Sequence, residues 1–302
     1  MQTLKRETKM KKSIIAIAVS SVALTSVSAY AAEGSTVDIY GNIQYVISDT
    51  EGAGDFADNG STLGVQGETK VNDDLTGFFK YELEFDADED GDGANEAQLD
   101  QAFVGLQGNF GKVKVGSFDS IYNDAIQDGI DQFEYLGLGV ADTAEEGDTI
   151  AYFSPSFGGF EFQVSSQVNT AEGAGNATTA VAKYSVDALT ISAGYDSLDD
   201  GDDETIGFAA SYQVSPALSV TAKTESTTDV QDIVGLATRY GYGAGDLYAS
   251  AQVVSPDSAD DYNEYAAGVT YSLASNMYVY GEVGQLDATE DTTTAVGVYY
   301  GF

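Results

Sequence analysis

From residue 35 to the end of the chain, apolar and polar residues alternate in short segments, and this period of two restricts the fold more than any other feature. In residues 218–223, Leu218, Val220 and Ala222 alternate with two hydroxyl residues and a lysine. Successive side chains of an extended strand point to opposite faces, so each such segment gives a strand with one apolar and one polar face. A helical period is almost absent beyond residue 35. The chain is therefore predicted to be all-β.

The connections between these segments alternate between short and long. Short turns are predicted at residues 72–74, 109–111, 156–158, 187, 215–216, 243–245 and 274–276. Longer acidic loops are predicted at residues 49–60, 86–97, 119–148, 169–176, 198–203, 255–261 and 286–291, with a brief one at 227–229. The segments between them predict sixteen strands.

A strand with one apolar face fits two opposite arrangements. A soluble sandwich buries that face, whereas a barrel in lipid turns it outward and lines a lumen with the polar face. The strands have the roughly 9–11 residues that a tilted strand needs to cross a bilayer. One short-turn rim and one long-loop rim also require the observed alternation of connections. We therefore predict a 16-stranded antiparallel transmembrane β-barrel with short periplasmic turns and long external loops.

The first 31 residues have the pattern of a secretory signal peptide. Five of the twelve basic residues lie between Lys5 and Lys12, and an apolar run follows from Ser13 to Leu24. Small residues at Ala29 and Ala31 then give a cleavage site after Ala31. Residues 1–9 are interpreted as an upstream extension before the natural start at Met10, and residues 32–302 as the barrel domain. The apolar run is too short to span a bilayer as a helix.

Composition excludes several classes of protein. The chain has no Cys and no His, so disulfides, thiolate or imidazole metal sites and histidine-dependent catalytic triads are excluded. Its 49 acidic and 12 basic residues give a net charge of −37, which argues against a nucleic-acid partner. No enzymatic activity is expected.

Several segments resemble the trimeric general porins of Gram-negative bacteria. The first strand, at residues 37–42, is similar to the opening aromatic–glycine strand of that family, and residues 67–77 resemble its second strand, turn and third strand. Residues 102–106, 109–111 and 115–116 resemble the stretch before its third loop, and residues 156–160 resemble the turn after that loop. The C-terminal residues Val298, Tyr300 and Phe302 resemble its assembly signal.

The resemblance implies a homotrimer in the outer membrane, in contact with lipid and lipopolysaccharide and assembled by the outer-membrane insertion machinery. Each subunit would hold a water-filled pore narrowed by an inward-folded third loop. The residues lead independently to that loop, because residues 119–148 form the longest stretch without alternation. An external loop remains the alternative. The loop carries the acidic residues Asp119, Asp124, Asp128, Asp131 and Glu134.

The chain departs from the family where wall arginines are expected to face the acidic loop. The matching positions are Thr62, Asp100 and Ser117, none of which is basic, so this cluster is predicted to be missing or reduced. By strand parity, Lys70, Lys80 and Lys223 are expected to face the lumen. They are few beside the predicted lumen acids, which are Glu68, Glu82, Glu84 and Asp100.

A ring of carboxylates in a narrow passage attracts cations and repels anions. The sequence thus predicts a passive, cation-selective diffusion pore for ions and small hydrophilic solutes. A substrate-specific channel, for example for sugars, is the first alternative, and a secreted soluble acidic β-protein is the second. The acidity also fits a marine or halophilic habitat, whatever the pore selects.

One predicted loop resembles part of a calcium site. Asp86, Asp88 and Asp90 alternate as in the opening of a calcium-binding loop. The closing glutamate is one position early, at Glu96, and strands replace the usual flanking helices. We therefore predict no cofactor, with a weakly bound Ca²⁺ or Mg²⁺ as the alternative and a solvated acidic loop as the favoured interpretation.

Overall fold

The computed structural model describes residues 34–88, 97–144, 146–168, 176–198, 203–286, 289 and 291–302, and the predicted signal segment lies outside them. One antiparallel sheet contains all the strands of these residues. In chain order they are β1 (Ser35–Thr50), β2 (Ala53–Asp58), β3 (Ser61–Asn72), β4 (Leu75–Phe85), β5 (Gln98–Gly108), β6 (Gly111–Ser117), β7 (Thr149–Phe153), β8 (Phe160–Gln167), β9 (Thr178–Val186), β10 (Leu189–Asp196), β11 (Thr205–Ser215), β12 (Leu218–Thr227), β13 (Gln231–Gly241), β14 (Asp246–Pro256), β15 (Tyr262–Ala274), β16 (Met277–Gln285) and β17 (Thr292–Gly301).

The sheet closes on itself because the first and last strands pair. Strand β1 pairs with β17 from Asn42 opposite Gly301 to Thr50 opposite Thr293. Strands β2 and β3 both pair with β1, along its second and first halves respectively, so they form one barrel strand interrupted at residues 59–60. The seventeen segments therefore make a barrel of sixteen strands, which confirms the predicted architecture and its strand count.

The predicted loop at residues 49–60 is wrong. Strand β1 continues to Thr50 and β2 begins at Ala53, so only Glu51 and Gly52 connect them. Both residues have positive φ, 52° and 90°. Two successive positive φ values are typical of the two-residue turns whose twist matches a β-hairpin. Acidic composition suggested a loop here, but hairpin pairing decided the conformation.

The two faces of the barrel have opposite chemistry. Apolar side chains point outward and are exposed, as Val296 at 64% and Ile47 at 62% illustrate. The inner face is polar, and Glu264, Glu225 and Lys223 are at most 3% exposed there. A water-soluble sheet protein buries its apolar face, so this inside-out arrangement confirms the barrel in lipid over the soluble alternative.

Five tyrosines mark one level of the outer surface. They stand one to three residues before the ends of alternate strands, at the short-turn rim, and each is 45–52% exposed. Tyrosine suits a membrane–water interface because its ring is apolar and its hydroxyl is polar. This row forms part of an interfacial girdle, whose members are Tyr184, Tyr212, Tyr240, Tyr271 and Tyr300.

The three C-terminal residues of the predicted assembly signal lie at the same rim. Phe302 exchanges two backbone hydrogen bonds with Gly41, at 2.9 and 3.1 Å, and so completes the closure of the barrel. Tyr300 and Phe302 are 46% and 39% exposed. Val298 shares their strand parity and is half-buried. Recognition by the insertion machinery stays a prediction.

Residues 118–148 are here called the constriction loop, and their described part folds into the barrel. A single helical turn-and-a-half begins at Ile121 and includes a π-helix at Asn123–Gln127. No helix within the described residues is long and apolar enough to cross a membrane.

Candidate functional site: the lumen and its loop

The constriction loop is attached to one side of the lumen, the inner faces of β10–β16, which we call the anchoring wall. The main attachment is Glu282 on β16. Its two carboxylate oxygens accept hydrogen bonds from the backbone N–H groups of Glu134, Tyr135 and Leu136, at 2.7, 3.1 and 3.0 Å. Tyr248 donates a further hydrogen bond to the same carboxylate at 2.7 Å. Glu282 therefore satisfies three loop amides that would otherwise lack a partner.

Two more wall glutamates repeat this arrangement. Glu264 accepts from the Gly139 N–H at 2.8 Å and from the Gln252 side chain, which also donates to the Gly139 carbonyl. Glu225 accepts from the side chain of Gln127 at 2.7 Å. Both glutamates are 1% exposed. They bind the loop rather than face passing solutes.

Apolar contacts complete the attachment. Tyr122 and Ile126 are fully buried and lie over glycines of β10 and β11. A Cβ at Gly207 would lie 2.1 Å from the Tyr122 hydroxyl, and one at Gly194 would lie 2.7 Å from its ring. The wall therefore needs glycine at these two positions for the loop to approach it closely.

A buried ion pair lies beneath the loop. Lys223 Nζ is 2.5 Å from Glu225 Oε2, and both side chains are at most 1% exposed. Strand parity correctly predicts that Lys223 faces inward, but it is enclosed by the loop and not open to the passage. Lys70 lies at the short-turn rim and pairs with exposed Asp73 at 3.1 Å.

The loop acids fall into two groups. Asp119, Asp124 and Asp128 are exposed inside the barrel. Asp119 accepts two hydrogen bonds from Gln101 of β5, at 2.8 and 2.9 Å. Although their side chains are exposed in the lumen, the surrounding barrel partly desolvates them. This desolvation, and then the neighbouring carboxylates, raise the pKa of Asp124 and of Asp128 above that of a free aspartate.

Asp131 and Glu134 are half-buried between loop and wall. Burial raises the pKa of Asp131 to about 6, against the pull of Lys223, which lowers it. Burial also raises the pKa of Glu134, while a hydrogen bond from Tyr278 at 2.8 Å lowers it. These two carboxyl groups therefore differ from Asp119, Asp124 and Asp128 in their exposure to the lumen.

The opposite side of the lumen, the inner faces of β3–β7, we call the open wall. Glu82 lies there at 7% exposure, 2.8 Å from Lys80, with Asp100 and Tyr40 against it. These groups form one network, so Glu82 is not a free lumen charge. Glu68 and Glu84, also predicted for the lumen, share its strand parity and are exposed.

Four basic residues of the lumen were absent from the prediction. One is Arg239 of β13, whose guanidinium donates to the Gln132 carbonyl of the loop at 3.4 Å. The pairing register places Lys112 and Lys114 of β6 and Lys183 of β9 on the inner face. For β6, the alternation of the two lysines with Val113 and Val115 was enough to predict that the lysines face the lumen. A basic group thus exists on the open wall, at positions other than Thr62, Asp100 and Ser117.

The acidic loop after β4 is described only in part. Asp86 and Asp88 are described and Asp90 lies outside the described residues. Within the described part of the chain, no group of three or more acidic residues is arranged to hold a metal ion. Calcium or magnesium binding by this loop stays a prediction, and calorimetry with millimolar Ca²⁺ tests it.

These contacts position the passage. The loop is bonded along the anchoring wall, and near Glu134 it also contacts Asn59, whose side chain donates to the Glu134 carbonyl at 2.7 Å. The space that stays open therefore lies between the loop and the open wall. A closed barrel with an apolar outside, a polar inside and a loop across its lumen is a transmembrane channel.

Comparison with known proteins identifies the kind of channel. The family model described as Gram-negative porin matches residues 18–300. The chain therefore belongs to the Gram-negative porin family.

Similar proteins agree with this assignment. A monosaccharide porin of a Halomonas species and the major outer membrane protein of Halomonas elongata are each 33% identical, over 97% of this chain and 100% of theirs. The putative outer membrane porin protein NmpC of Escherichia coli is 28% identical, over 90% of this chain and 74% of its own.

Solved structures share the fold. A mutant of the Rhodopseudomonas blastica porin has a TM-score of 0.72 at 20% identity, covering 88% of this chain and 100% of its own. OmpF of Salmonella typhi, in a complex with daunomycin, has a TM-score of 0.72 at 22% identity, covering 89% and 98%. Membership of the porin family, and not the shared fold alone, makes the protein an outer-membrane diffusion channel of a Gram-negative bacterium, and the soluble alternative is wrong.

Proposed function

We propose that this channel passes ions and small hydrophilic solutes passively, prefers cations, and catalyses no reaction. The observation that supports the preference is the charge of the constriction loop. Residues 118–148 contain nine acidic residues and no basic one. Within the described part of the chain, Asp124 and Asp128 have no ammonium or guanidinium nitrogen within 4 Å, and both are exposed in the lumen.

Physical reasoning connects that charge to selectivity. Carboxylates beside a passage with low-dielectric walls concentrate cations locally and exclude anions. The anchoring-wall glutamates contribute less, because they are buried and bonded to the loop. Selectivity is therefore assigned to the loop face and to exposed Glu68 and Glu84 on the open wall.

Planar-bilayer recording under a KCl gradient tests this proposal. We expect a reversal potential of the sign that K⁺ preference gives, and a shift toward zero in Asp124→Asn/Asp128→Asn. Asp187→Asn is the matched control, since it removes a carboxylate from a short turn outside the passage and asparagine tolerates its positive φ of 51°. A wild-type potential of anion-preferring sign contradicts the proposal.

We also propose that the channel works as a homotrimer in contact with lipid and lipopolysaccharide. The family resemblance and the exposed apolar outer face support this. Conductance that rises in groups of three equal steps, and a detergent-resistant species that heating converts to monomer, are the expected results. Single independent steps together with a monomer before heating would contradict the trimer.

Sugars are a second candidate class of solute. The Halomonas relative named a monosaccharide porin suggests them. Tyr278 and Tyr299 also form a stacked pair on the inner face, with ring centroids 4.8 Å apart. Concentration-dependent block of the potassium current by glucose would favour this class, and a current that glucose leaves unchanged would count against a sugar site.

The acidity also fits a second role, keeping exposed loops hydrated in a saline habitat. Other secreted proteins of the same source would then share it. If those proteins are not unusually acidic, the acidity of this chain is better explained by ion selection in the pore.

A further inference from the structure

The second strand of the barrel contains an extra residue where β2 ends and β3 begins. Gly41 of β1 pairs with Leu63 of β3. Four residues further along β1, Tyr45 pairs with Asp58, which lies five residues before Leu63. One extra residue on one strand of an antiparallel pair is a β-bulge, and bulges re-aim the side chains beside them. The lumen-facing residues therefore change from odd-numbered ones in β2 to even-numbered ones in β3.

The bulge is held by hydrogen bonds of its own. Gly60 has a φ of 83°, a conformation that favours glycine. The Asp58 carboxylate accepts hydrogen bonds from the backbone N–H groups of Gly60 and Ser61, at 3.0 and 2.8 Å, and from the Ser61 hydroxyl. Ser61 Oγ in turn accepts from the Gln44 N–H at 3.0 Å. None of these bonds uses the Asn59 side chain, so the bulge does not depend on it.

The Asn59 side chain extends from the bulge to residues 134–136 of the constriction loop, which we call the loop tip. Its Nδ2 donates hydrogen bonds to the Glu134 carbonyl at 2.7 Å and to the Tyr280 hydroxyl at 3.0 Å. Its backbone N–H stays in the sheet and donates to the Gln44 carbonyl at 3.0 Å. One side-chain amide therefore connects the second barrel strand to a loop residue 75 positions away.

Glu134 is bonded through its backbone and through its side chain. Its N–H donates to Glu282 at 2.7 Å, and its carbonyl accepts from Asn59. Its carboxylate accepts from the Tyr278 hydroxyl at 2.8 Å and stays partly exposed. The bonds to Glu282 and Asn59 attach the same peptide segment to two different barrel strands. The position of the Glu134 carboxylate therefore depends on both attachments.

A second asparagine of the inner face provides a comparison. Asn42 of β1 donates to Thr62 Oγ1 at 2.9 Å, and among the described contacts it has no hydrogen bond to the constriction loop. Asn42 and Asn59 lie on neighbouring barrel strands and carry the same amide group. Asn42 bonds the wall, whereas Asn59 bonds the loop tip.

We propose that Asn59 is a positioning residue, which holds the loop tip against the barrel and so keeps the Glu134 carboxylate at the edge of the passage, where it contributes to the cation preference. Without this amide, the Glu134 carbonyl loses its donor, and only Glu282 and Tyr278 hold this residue. A carboxylate that moves spends less time beside the passage, so its attraction for cations there weakens. The inference rests on the proposed function, because it concerns one carboxylate of the cation-selective loop.

A spin label measures the mobility of the loop tip directly. The chain has no cysteine, so Gly137→Cys provides a single labelling site beside the tip. Gly137 is exposed, and a Cβ there would lie 3.8 Å from Asp131 Oδ2, which is an ordinary contact. In reconstituted full-length mature protein, Asn59→Ala should raise the ratio of mobile to immobile label about fivefold, the factor equivalent to about 1 kcal/mol for one net hydrogen bond. Asn42→Ala is the matched control and should leave the spectrum unchanged.

Reversal potentials in a KCl gradient then test whether Asn59 acts through the Glu134 carboxylate. Asn59→Ala and Glu134→Gln should each move the potential toward zero. Asn59→Ala/Glu134→Gln should give the same potential as Glu134→Gln alone, because the charge that Asn59 positions is already absent. The label should still become more mobile in this double variant, since the backbone carbonyl at residue 134 loses its donor there too.

Three results overturn the proposal: a label that stays immobile in Asn59→Ala, an equal gain of mobility in Asn42→Ala, or additive shifts of the reversal potential in the double variant. Unchanged urea midpoints show that each variant folds. If Asn59→Ala does not fold, Asn59→Leu removes both donors at nearly the same side-chain size and serves for the same measurements. Failure of the proposed function looks different, because a wild-type channel with anion preference contradicts it while the label still reports whether Asn59 holds the tip.

Discussion

The two sides of the lumen use the same kind of residue for different purposes. On the anchoring wall, Asp196, Glu225, Glu264 and Glu282 are at most 5% exposed, and three of them accept hydrogen bonds from the loop backbone. On the open wall, Glu68 and Glu84 are exposed, and no loop residue is bonded to them among the described contacts. Carboxylates that look equivalent in the sequence therefore bind the loop on the anchoring wall, whereas on the open wall they face the water of the lumen.

The comparison shows that net charge overstates the field in the passage. A buried carboxylate that accepts two or three backbone N–H bonds is satisfied locally, and its main effect is on stability. We therefore expect the loop face, where Asp124 and Asp128 are exposed, to contribute more to selectivity than the more numerous wall glutamates. Four measurements test whether the two sets of carboxylates differ in this way.

The largest effect is expected where a buried charge loses its partner. Lys223→Met leaves Glu225 buried and unpaired, which should lower the free energy of unfolding by roughly 3–5 kcal/mol. Urea denaturation in micelles measures this. Lys183→Met, on a less buried inner-face residue, should change stability little, and Lys223→Met/Glu225→Met should recover part of the loss. Equal urea midpoints of unfolding for wild type and Lys223→Met would contradict the idea that the buried carboxylates of the anchoring wall mainly affect stability.

The second-largest effect is expected when the loop loses the carboxylate that accepts its backbone hydrogen bonds. Glu282→Ala leaves three loop amides without an acceptor, and we expect the loop to lose on the order of 3 kcal/mol of local stability. Limited proteolysis should then cut within residues 118–148, and the single-channel current should become noisy. Glu84→Ala on the open wall should leave both unchanged. A loop that stays protected in Glu282→Ala contradicts its role as the main attachment.

Acidification should weaken the cation preference. Burial raises the pKa of Asp131 to about 6 and also raises those of Asp124, Asp128 and Glu134, so these groups gain protons earlier than free carboxyls do as the pH falls. Neutral carboxyls attract no cations. The reversal potential should therefore move toward zero between pH 8 and pH 5, and Asp131→Asn should remove the part near pH 6. A flat profile in this range contradicts the assignment of selectivity to the loop.

The smallest effect concerns screening. The Debye length falls from about 10 Å at 0.1 M salt to about 3 Å at 1 M. Cation preference should decrease over that range, because the exposed loop carboxylates are screened. The stability loss in Lys223→Met, which depends on a buried pair, should hardly change with salt. If the cation preference and the stability loss in Lys223→Met change equally with salt, the buried wall carboxylates and the exposed loop carboxylates are in similar environments, which contradicts the distinction.

Much of the fold was predictable because alternation is a local property. The period of two and the alternating connections indicate sixteen strands, an apolar outer face and a long loop near residues 119–148. The miss at residues 49–60 has a local cause too, since acidic composition hides a hairpin that Glu51 and Gly52 complete. Lys112 and Lys114 were readable from parity on β6.

Local sequence patterns are enough to predict the barrel, its apolar outer face and its family, because each depends on which residues neighbour one another along the chain. Which carboxylates anchor the loop depends instead on contacts between residues far apart in the sequence. Glu282 meets the loop at Glu134, 148 residues away, and Glu225 meets Gln127 across 98 residues. Such pairings arise when the sheet closes and the loop folds across it, and no local pattern specifies them.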